Sequence, residues 1–297
     1  MSDQPRWHQT LTVANNLFAH AARPPACAGT WYPGDPEVLR QLVDGLLQMA
    51  PVRVAGGEVV GLIVPHAGYR YSGQVAASAY AQLRERPTDR VLLLGPDHDV
   101  YGRDPSVAHY HGFRTPLGEV PIDWEAVAAL EGQLPLRRVL EDREHSLEVQ
   151  LPFLQRVLGE FRVVPLMLGD QSLATADRLA KALGNIDARG SDLLVASSDL
   201  SHHHPYETAA ALDGRVSDRI GQFDVEGLAR DLARGRSEAC GGGALLTAML
   251  WARRIGAESA EVLGYANSGD VTGERGAVVG YLAAALTRRA TSRKEFR

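Results

Sequence analysis

Cysteine is scarce in this chain of 297 residues, which contains only Cys27 and Cys240. The two residues lie far apart in the sequence, and neither belongs to a CxxC motif. Such usage excludes a small disulfide-stapled scaffold and fits a reducing compartment. We therefore expect at least one of the two thiols to be free for chemistry.

Long apolar segments and basic clusters are also missing. No stretch approaches the roughly 18 uninterrupted apolar residues of a membrane helix, and residues 1–23 lack the basic and apolar regions of a signal peptide. The 31 basic and 36 acidic side chains leave a formal charge of −5, without a tract rich in lysine or arginine. We therefore expect a cytoplasmic protein that binds neither membranes nor nucleic acid, with small molecules or proteins as partners.

The composition predicts a globular α/β protein. With 45% hydrophobic and 23% charged residues, the chain has enough material for one large domain, the alternative being two small ones. We predict a single α/β domain over residues 25–290, with a central mixed, largely parallel sheet flanked by helices. Residues 1–24 are interpreted as an N-terminal extension that either docks or is flexible, and residues 291–297 as a polar C-terminal tail.

Three apolar runs in the sequence each stop at a histidine. They begin at residues 59, 91 and 193, and they end at His66, His98 and His202. Buried strands of an open α/β sheet read as continuous apolar runs, and ligands bind outside the carboxyl ends of such strands. The three histidines are therefore predicted to share a rim, and imidazoles gathered on a rim indicate a metal site.

His66 and His98 occupy matched positions at the ends of two predicted strands. A single histidine near a strand end is more often a packed or surface residue than a ligand. Here, however, each imidazole follows a proline-containing turn, and proline restricts the residue before it to extended conformations. We therefore predict that His66 and His98 are metal ligands.

Cys240 directly precedes three glycines and a predicted helix. The simplest interpretation is a buried small side chain, but backbone N–H groups exposed at a helix N-terminus favour a thiolate. A thiolate is a good ligand for iron, copper or zinc. The same glycine turn could instead bind an anion such as phosphate, and spacing alone does not decide between the two.

Four further residues are candidates for roles around the metal. His202 is the predicted acid/base, because the pKa of histidine lies near neutrality. Asp199 is either a ligand or a carboxylate that orients an imidazole, although the polar loop 198–204 could simply cap a helix. His145 and Glu148 lie three apart and share a helix face, either as an exposed hydrogen-bonded couple or as part of the site.

Seven short motifs occur here in the order in which they occur in one known family. They are AGTWYP (28–33), VPHAGY (64–69), LGPDH (94–98), FRTPLG (113–118), EHSLE (144–148), SSDLSH (197–202) and YANSGD (265–270). On these motifs the chain resembles the Memo family, whose bacterial and archaeal members are also called AmmeMemoRadiSam system protein B. The resemblance runs from about residue 27 to residue 286, and the number of ordered motifs makes it specific.

The resemblance implies a fold related to the class III extradiol dioxygenases, with a cleft for non-haem iron. It places the family's metal-site histidines on His66 and His98, its cysteine ligand on Cys240 and a further active-site histidine on His202. The dioxygenases proper hold iron with two histidines and a glutamate, which leaves positions open for substrate and O₂. With a thiolate as third ligand, ring cleavage cannot simply be inherited.

The leading functional hypothesis is an oxidoreductase of unidentified small-molecule substrate that uses Fe²⁺, with copper or zinc as alternative metals. In this hypothesis His202 moves protons, while Asp199, His145 and Glu148 tune the surroundings of the metal. A second hypothesis is a non-catalytic adaptor that binds metal or a peptide. A third is a partner of a radical SAM protein, which the bacterial family name suggests, and a fourth is a zinc hydrolase.

Overall fold

The computed structural model describes residues 21–52, 57–84, 88–99, 102–187 and 190–289. Residues 1–20 of the predicted N-terminal extension and the predicted tail of 291–297 lie outside these ranges. None of the described helices is both long and apolar enough to cross a membrane.

The described strands form a mixed main sheet and a small second sheet. The strands are β1 (Ala22–Arg23), β2 (Gly57–Val64), β3 (Arg90–Pro96), β4 (Ser106–Ala108), β5 (Gly112–Thr115), β6 (Gly118–Pro121), β7 (Arg137–Val139), β8 (Arg162–Leu168), β9 (Leu193–Ser197), β10 (His202–His204), β11 (Ala257–Asn267) and β12 (Val278–Arg289). Their order is β10-β12-β2-β9-β3-β8-β4-β7 with β11 paired to β12 in the first sheet, and β1-β5-β6 in the second.

Helices flank the main sheet in two groups. The helices are α1 (Pro36–Met49), α2 (Tyr69–Tyr80), α3 (Trp124–Glu131), α4 (His145–Glu148), α5 (Leu151–Leu158), α6 (Leu173–Ile186), α7 (Tyr206–Gly221), α8 (Val225–Ala233), α9 (Gly242–Arg254) and α10 (Ser268–Thr272). In one group α6 and α9 pack against each other, and α9 also contacts β2 and β9. In the other group α1 and α5 pack on α2, which contacts β2 and β12. The predicted α/β class is thereby confirmed.

The centre of the main sheet consists of the parallel strands β2, β9, β3 and β8. Val64 is in register with Ser197, and Leu94 with Ala196, so these strands end at the same edge. Their side chains are almost entirely buried, as expected for parallel strands covered on both faces. The segments that follow β2, β9 and β3 therefore meet at one rim.

The N-terminal boundary of the packed structure includes residues from the predicted extension. Ala22 and Arg23 form β1, which pairs in parallel with Gly112 and Phe113 of β5. The Arg23 side chain is fully buried. This part of the chain is docked on the domain, and its anchor is described with the site below.

Two segments have a structure that the hydrophobic periodicity of the sequence does not predict. The helical spacing over 144–158 predicts one helix, but the structure contains α4 and α5, because Pro152 has no N–H to donate to the carbonyl of Glu148. The strand β11 carries polar residues, and only three of its eleven residues are buried, so it has no continuous apolar run that would identify it from sequence.

Candidate metal centre

His66, His98 and His145 form a compact cluster at the rim. One ring nitrogen from each residue can be chosen so that all three lie within 4.8 Å of one another. The rings of His98 and His145 are stacked with centroids 4.5 Å apart, and His66 meets both edge-on at 5.4 and 5.3 Å. The three imidazoles are thus arranged as a candidate metal-binding triad.

Cys240 adds a sulfur atom beside this cluster. Its Sγ lies 3.1 Å from Nε2 of His66, although the two residues are 174 positions apart in the sequence. The structure therefore brings the predicted metal residues His66, His98 and Cys240 to one rim. It also places His145 among the nitrogen donors, whereas the sequence suggested a supporting role for that residue.

The loop that carries Cys240 packs tightly against the end of β9. A Cβ atom on Gly241 would lie 2.4 Å from the carbonyl oxygen of Ser197, so only glycine fits there. The N–H groups of Gly241 and Gly243 already donate to the side chains of Ser198 and Gln171, and that of Gly242 donates to a backbone carbonyl. These partners leave little donor capacity for the anion site considered as the alternative.

The thiol of Cys240 has a different character from the one expected at a helix N-terminus. Burial raises its pKa to about 12, the opposite of the direction expected from exposed backbone amides. Desolvation is the largest contribution, and Sγ lies against His66 and the carbonyl oxygen of Asp199. A bound cation would have to displace the thiol proton, as metal binding to cysteine generally does.

The ring of His66 is held in a defined tautomer by Ser197. The Ser197 hydroxyl donates to the carbonyl of Ser146 at 2.6 Å, and its oxygen accepts from Nε2 of Gln150 at 2.8 Å. Because that hydroxyl proton is already used, the 3.0 Å contact to His66 requires Nδ1–H of the imidazole to donate. The lone pair of His66 therefore resides on Nε2, the atom that faces Cys240.

The amide of Gln150 is itself oriented from behind. Its Oε1 accepts from the hydroxyl of Tyr80 at 2.9 Å, and its Nε2 also donates to the carbonyl of Pro65 at 2.9 Å. Gln150 and Ser197 are both buried. A buried chain of hydrogen bonds from Tyr80 to His66 thus orients the imidazole, which makes Ser197 and Gln150 positioning residues.

We expect Ser197→Ala to weaken metal binding about 10- to 100-fold, the range for residues that orient a ligating imidazole. The substitution leaves Nδ1 of His66 without its acceptor and permits the other tautomer. Competition with a chromophoric chelator would measure the affinity, and ¹⁵N chemical shifts of the ring would report the tautomer. Ser259→Ala, at an exposed serine on β11, is the control. Unchanged affinity and ring shifts in Ser197→Ala would contradict the assignment.

Glu144 performs the equivalent task for His98. Its carboxylate accepts from Nδ1 of His98 at 2.9 Å and from the backbone N–H of the same residue at 2.7 Å, and it also caps α4. Although burial acts to raise the pKa of Glu144, hydrogen bonds from His98 bring it down to about 2. An ionised carboxylate can only accept, so His98 also presents Nε2 for coordination.

Asp199 follows β9 and lies at the same rim. Its Oδ1 accepts from the backbone N–H of His66 at 2.8 Å, and the backbone N–H of Ala67 donates to the same carboxyl group. Burial raises the pKa of Asp199 to about 7. Of the two roles left open by the sequence, these contacts favour orientation, because the carboxyl group holds the turn that carries His66.

Glu148 lies on α4 with His145, but its hydrogen-bond partners belong to residues 23–32. The buried carboxylate accepts from the guanidinium of Arg23, from the hydroxyl of Tyr32 and from the backbone N–H groups of residues 26 and 27. Arg23 also pairs with Asp142 at 2.7 Å. Glu148 thereby anchors the N-terminal segment against the helix that carries His145.

His202 lies half-buried beside the cluster, next to a cavity that it lines together with Cys240. Burial lowers its pKa below the ordinary value for histidine, so the ring is neutral at neutral pH. A neutral imidazole next to a cavity can accept a proton from a bound molecule. This placement is compatible with the predicted acid/base role.

Sequence reasoning singled out neither Glu144, Ser197 nor Gln150 as site residues. Glu144 and Ser197 do occur inside the quoted motifs, so their proximity to the predicted ligands was the only available signal. Gln150 has no such signal, because its contact with Ser197 joins residues 47 positions apart.

His66, His98 and Asp199 follow parallel strands, whereas Cys240 precedes α9 and His145 begins α4. Together they define an α/β protein with a candidate metal centre at the carboxyl ends of its strands. The histidine triad and the sulfur beside it are the features that identify this class here.

The chain belongs to the Memo family: the family model for Memo-like protein matches residues 23–285. A MEMO1 family protein from Methanosarcina mazei is 37% identical over 88% of this chain and 97% of that protein. Another from Methanopyrus kandleri is 36% identical over 90% and 99%, respectively. An uncharacterized protein from Escherichia coli K12 has a solved structure with a TM-score of 0.47 and 14% identity, covering 77% of this chain and 99% of that one. The family expected from the motifs is thus confirmed.

Proposed function

We propose that this protein is a metal-dependent oxidoreductase that binds Fe²⁺ through His66, His98 and Cys240. The observation that supports it most directly is the 3.1 Å approach of Cys240 Sγ to Nε2 of His66, a member of the histidine cluster. The donor set fits a cation, because Ser197 and Glu144 leave Nε2 of both imidazoles available. Two histidines and one thiolate can hold iron, copper or zinc. Iron is the metal proposed here because of the resemblance to the non-haem iron dioxygenases.

The surrounding residues have distinct parts in this proposal. Bound iron with open coordination positions would supply a binding site for O₂ and for an oxidisable substrate. His202 accepts and returns protons at its ring nitrogen, and His145 is a further nitrogen donor or orients the bound substrate. Asp199 holds the His66 turn, and Glu148 acts at a distance by anchoring the N-terminal segment.

Metal or peptide binding without catalysis is a second candidate, favoured by exposed aromatic side chains beside the rim. Trp31 packs on the ring of His145 with centroids 4.3 Å apart, and it is 36% exposed. Tyr71 is 38% exposed, and both Tyr71 and Trp31 lie beside Gly68. Exposed aromatic residues are enriched at protein interfaces.

Cytoplasmic location and partnership with a radical SAM protein stay predictions from the sequence.

Anaerobic purification followed by elemental analysis and nitric-oxide electron paramagnetic resonance tests the proposal. We expect about one iron per wild-type chain and a ferrous–nitrosyl signal. The signal should be lost in His98→Ala and in Cys240→Ser, because each removes one donor atom of the proposed set. His111→Ala is the matched control, since His111 is exposed and pairs with Glu119.

Three outcomes distinguish the candidate functions. The oxidoreductase is supported if the wild type binds iron, the variants His98→Ala and Cys240→Ser do not, and the wild type consumes O₂ when substrates are added. If the protein binds stoichiometric metal but never consumes O₂ in a broad substrate screen, the result supports the non-catalytic binding function. Equal iron binding by wild type, His98→Ala and Cys240→Ser would refute the proposed ligand set.

A further inference from the structure

A cavity of about 1030 Å³ opens on the side of Cys240 and His202. One wall is a face of α8, which contributes Ala229, Leu232 and Ala233. The lining also includes Leu173, the first residue of α6, whose side chain is 38% exposed. The volume is at the upper end of the range for small-molecule sites, and the walls are mainly apolar, as in such sites. We refer to it as the Cys240 cavity.

An unpartnered polar group lies in the lining of the Cys240 cavity. Ser237 is 2% exposed, and its Oγ has no hydrogen-bond partner among the residues that the structure describes. A buried hydroxyl without a partner is destabilising, and a ligand or a water molecule normally satisfies it. Ser237 therefore indicates where the polar end of a bound molecule would lie.

The charges around the cavity disfavour an anionic ligand. Three carboxylates, those of Asp170, Glu226 and Glu238, line it, and Arg230 is the one arginine or lysine among the described lining residues. The carboxylates have local partners: Glu226 pairs with Arg253, Glu238 pairs with His204, and Asp170 accepts from the N–H of residue 172. The lining thus offers no surplus positive charge.

We propose that the Cys240 cavity binds an uncharged, predominantly apolar small molecule whose one polar end meets Ser237 and lies beside Cys240 and His202. In naming this molecule as the substrate, the inference rests on the proposed oxidoreductase function. The apolar body packs between α8 and the start of α6. The polar end is then next to the thiol of the candidate metal centre and to the imidazole that accepts a proton.

Binding of the neutral dye Nile red to the full-length protein tests the cavity directly. We expect enhanced dye fluorescence with wild type and affinity reduced at least about tenfold by Ala229→Trp, which fills the wall. Ala233→Trp, at an exposed position on the same face, is a second variant that is less disruptive to packing. Ala211→Trp, on the exposed surface of α7, is the control and should bind as wild type does.

Competition between the dye and two molecules of equal chain length, one neutral and one anionic, tests whether the cavity prefers an uncharged ligand. Octan-1-ol should displace the dye, whereas octanoate should be at least about tenfold weaker. Equal dye affinity in Ala233→Trp, Ala229→Trp and Ala211→Trp would show that the dye binds elsewhere and would overturn the proposed site. Equal competition by octanoate would overturn the assignment of an uncharged ligand.

A final measurement connects the cavity to the metal. Octan-1-ol should change the ferrous–nitrosyl spectrum of the iron-loaded wild type but not that of Ala229→Trp. A spectrum insensitive to octan-1-ol, despite displacement of the dye, would overturn the assignment of the ligand as substrate. If the wild type yields no ferrous–nitrosyl signal at all, the iron function fails, and the dye titration still decides whether the cavity binds its ligand.

Discussion

Glu148→Gln should lower the free energy of unfolding by about 3–5 kcal/mol, the cost of breaking a buried ion pair. Glu148 accepts four hydrogen bonds, two on each carboxylate oxygen, and one partner is the buried guanidinium of Arg23. Glutamine retains one acceptor oxygen and turns an amide NH₂ toward the remaining donors. Two buried donors then lose their partners, each at about 1–3 kcal/mol.

Urea denaturation of the metal-free protein, with Glu131→Gln as control, would measure this effect. Glu131 also pairs with an arginine, Arg138, but both side chains are partly exposed, so the control should lose less than about 1 kcal/mol. Glu148→Gln protein that remains folded should retain its metal. Equal stability of the two variants would contradict the anchoring role, and loss of metal from folded Glu148→Gln would indicate a direct role at the site.

His66→Ala is expected to reduce metal affinity more than about 100-fold, beyond the usual loss for residues that only orient a ligand. His66 is the shared member of the site, since its Nε2 lies 3.1 Å from Cys240 and its ring contacts those of His98 and His145. Removal of a neutral imidazole leaves no buried charge behind, so the fold should survive.

Competition against a chromophoric chelator, with metal-free and metal-loaded melting temperatures, would quantify the loss. Ligands that bind only the native state raise its stability, so wild type should melt at a higher temperature with metal and His66→Ala should not. His111→Ala again serves as the control on an exposed histidine. An unchanged metal-dependent shift in His66→Ala would mean that the metal binds elsewhere.

The motifs alone were sufficient to identify the family. The apolar runs were sufficient to predict that the histidines at their ends share one rim of the sheet. The strands that end near His66 and His98 could be predicted because a continuous buried run is a local property of the sequence. That their ends meet follows from the general geometry of parallel sheets. The strand β9 enters between β2 and β3, and this order of strands cannot be read from the two runs themselves.

The sequence by itself determined the α/β class, the family and the placement of His66 and His98 at the ends of buried strands. Only the tertiary structure decided that the His145 ring lies in one cluster with those of His66 and His98. It also decided that Glu148 binds the N-terminal segment, and that Ser197 and Glu144 select the imidazole tautomers. The physical reason is the range of the interactions. Apolar periodicity acts over a few neighbouring residues, whereas the direction and hydrogen-bond partner of a buried polar side chain depend on residues far away in the chain that packing brings beside it.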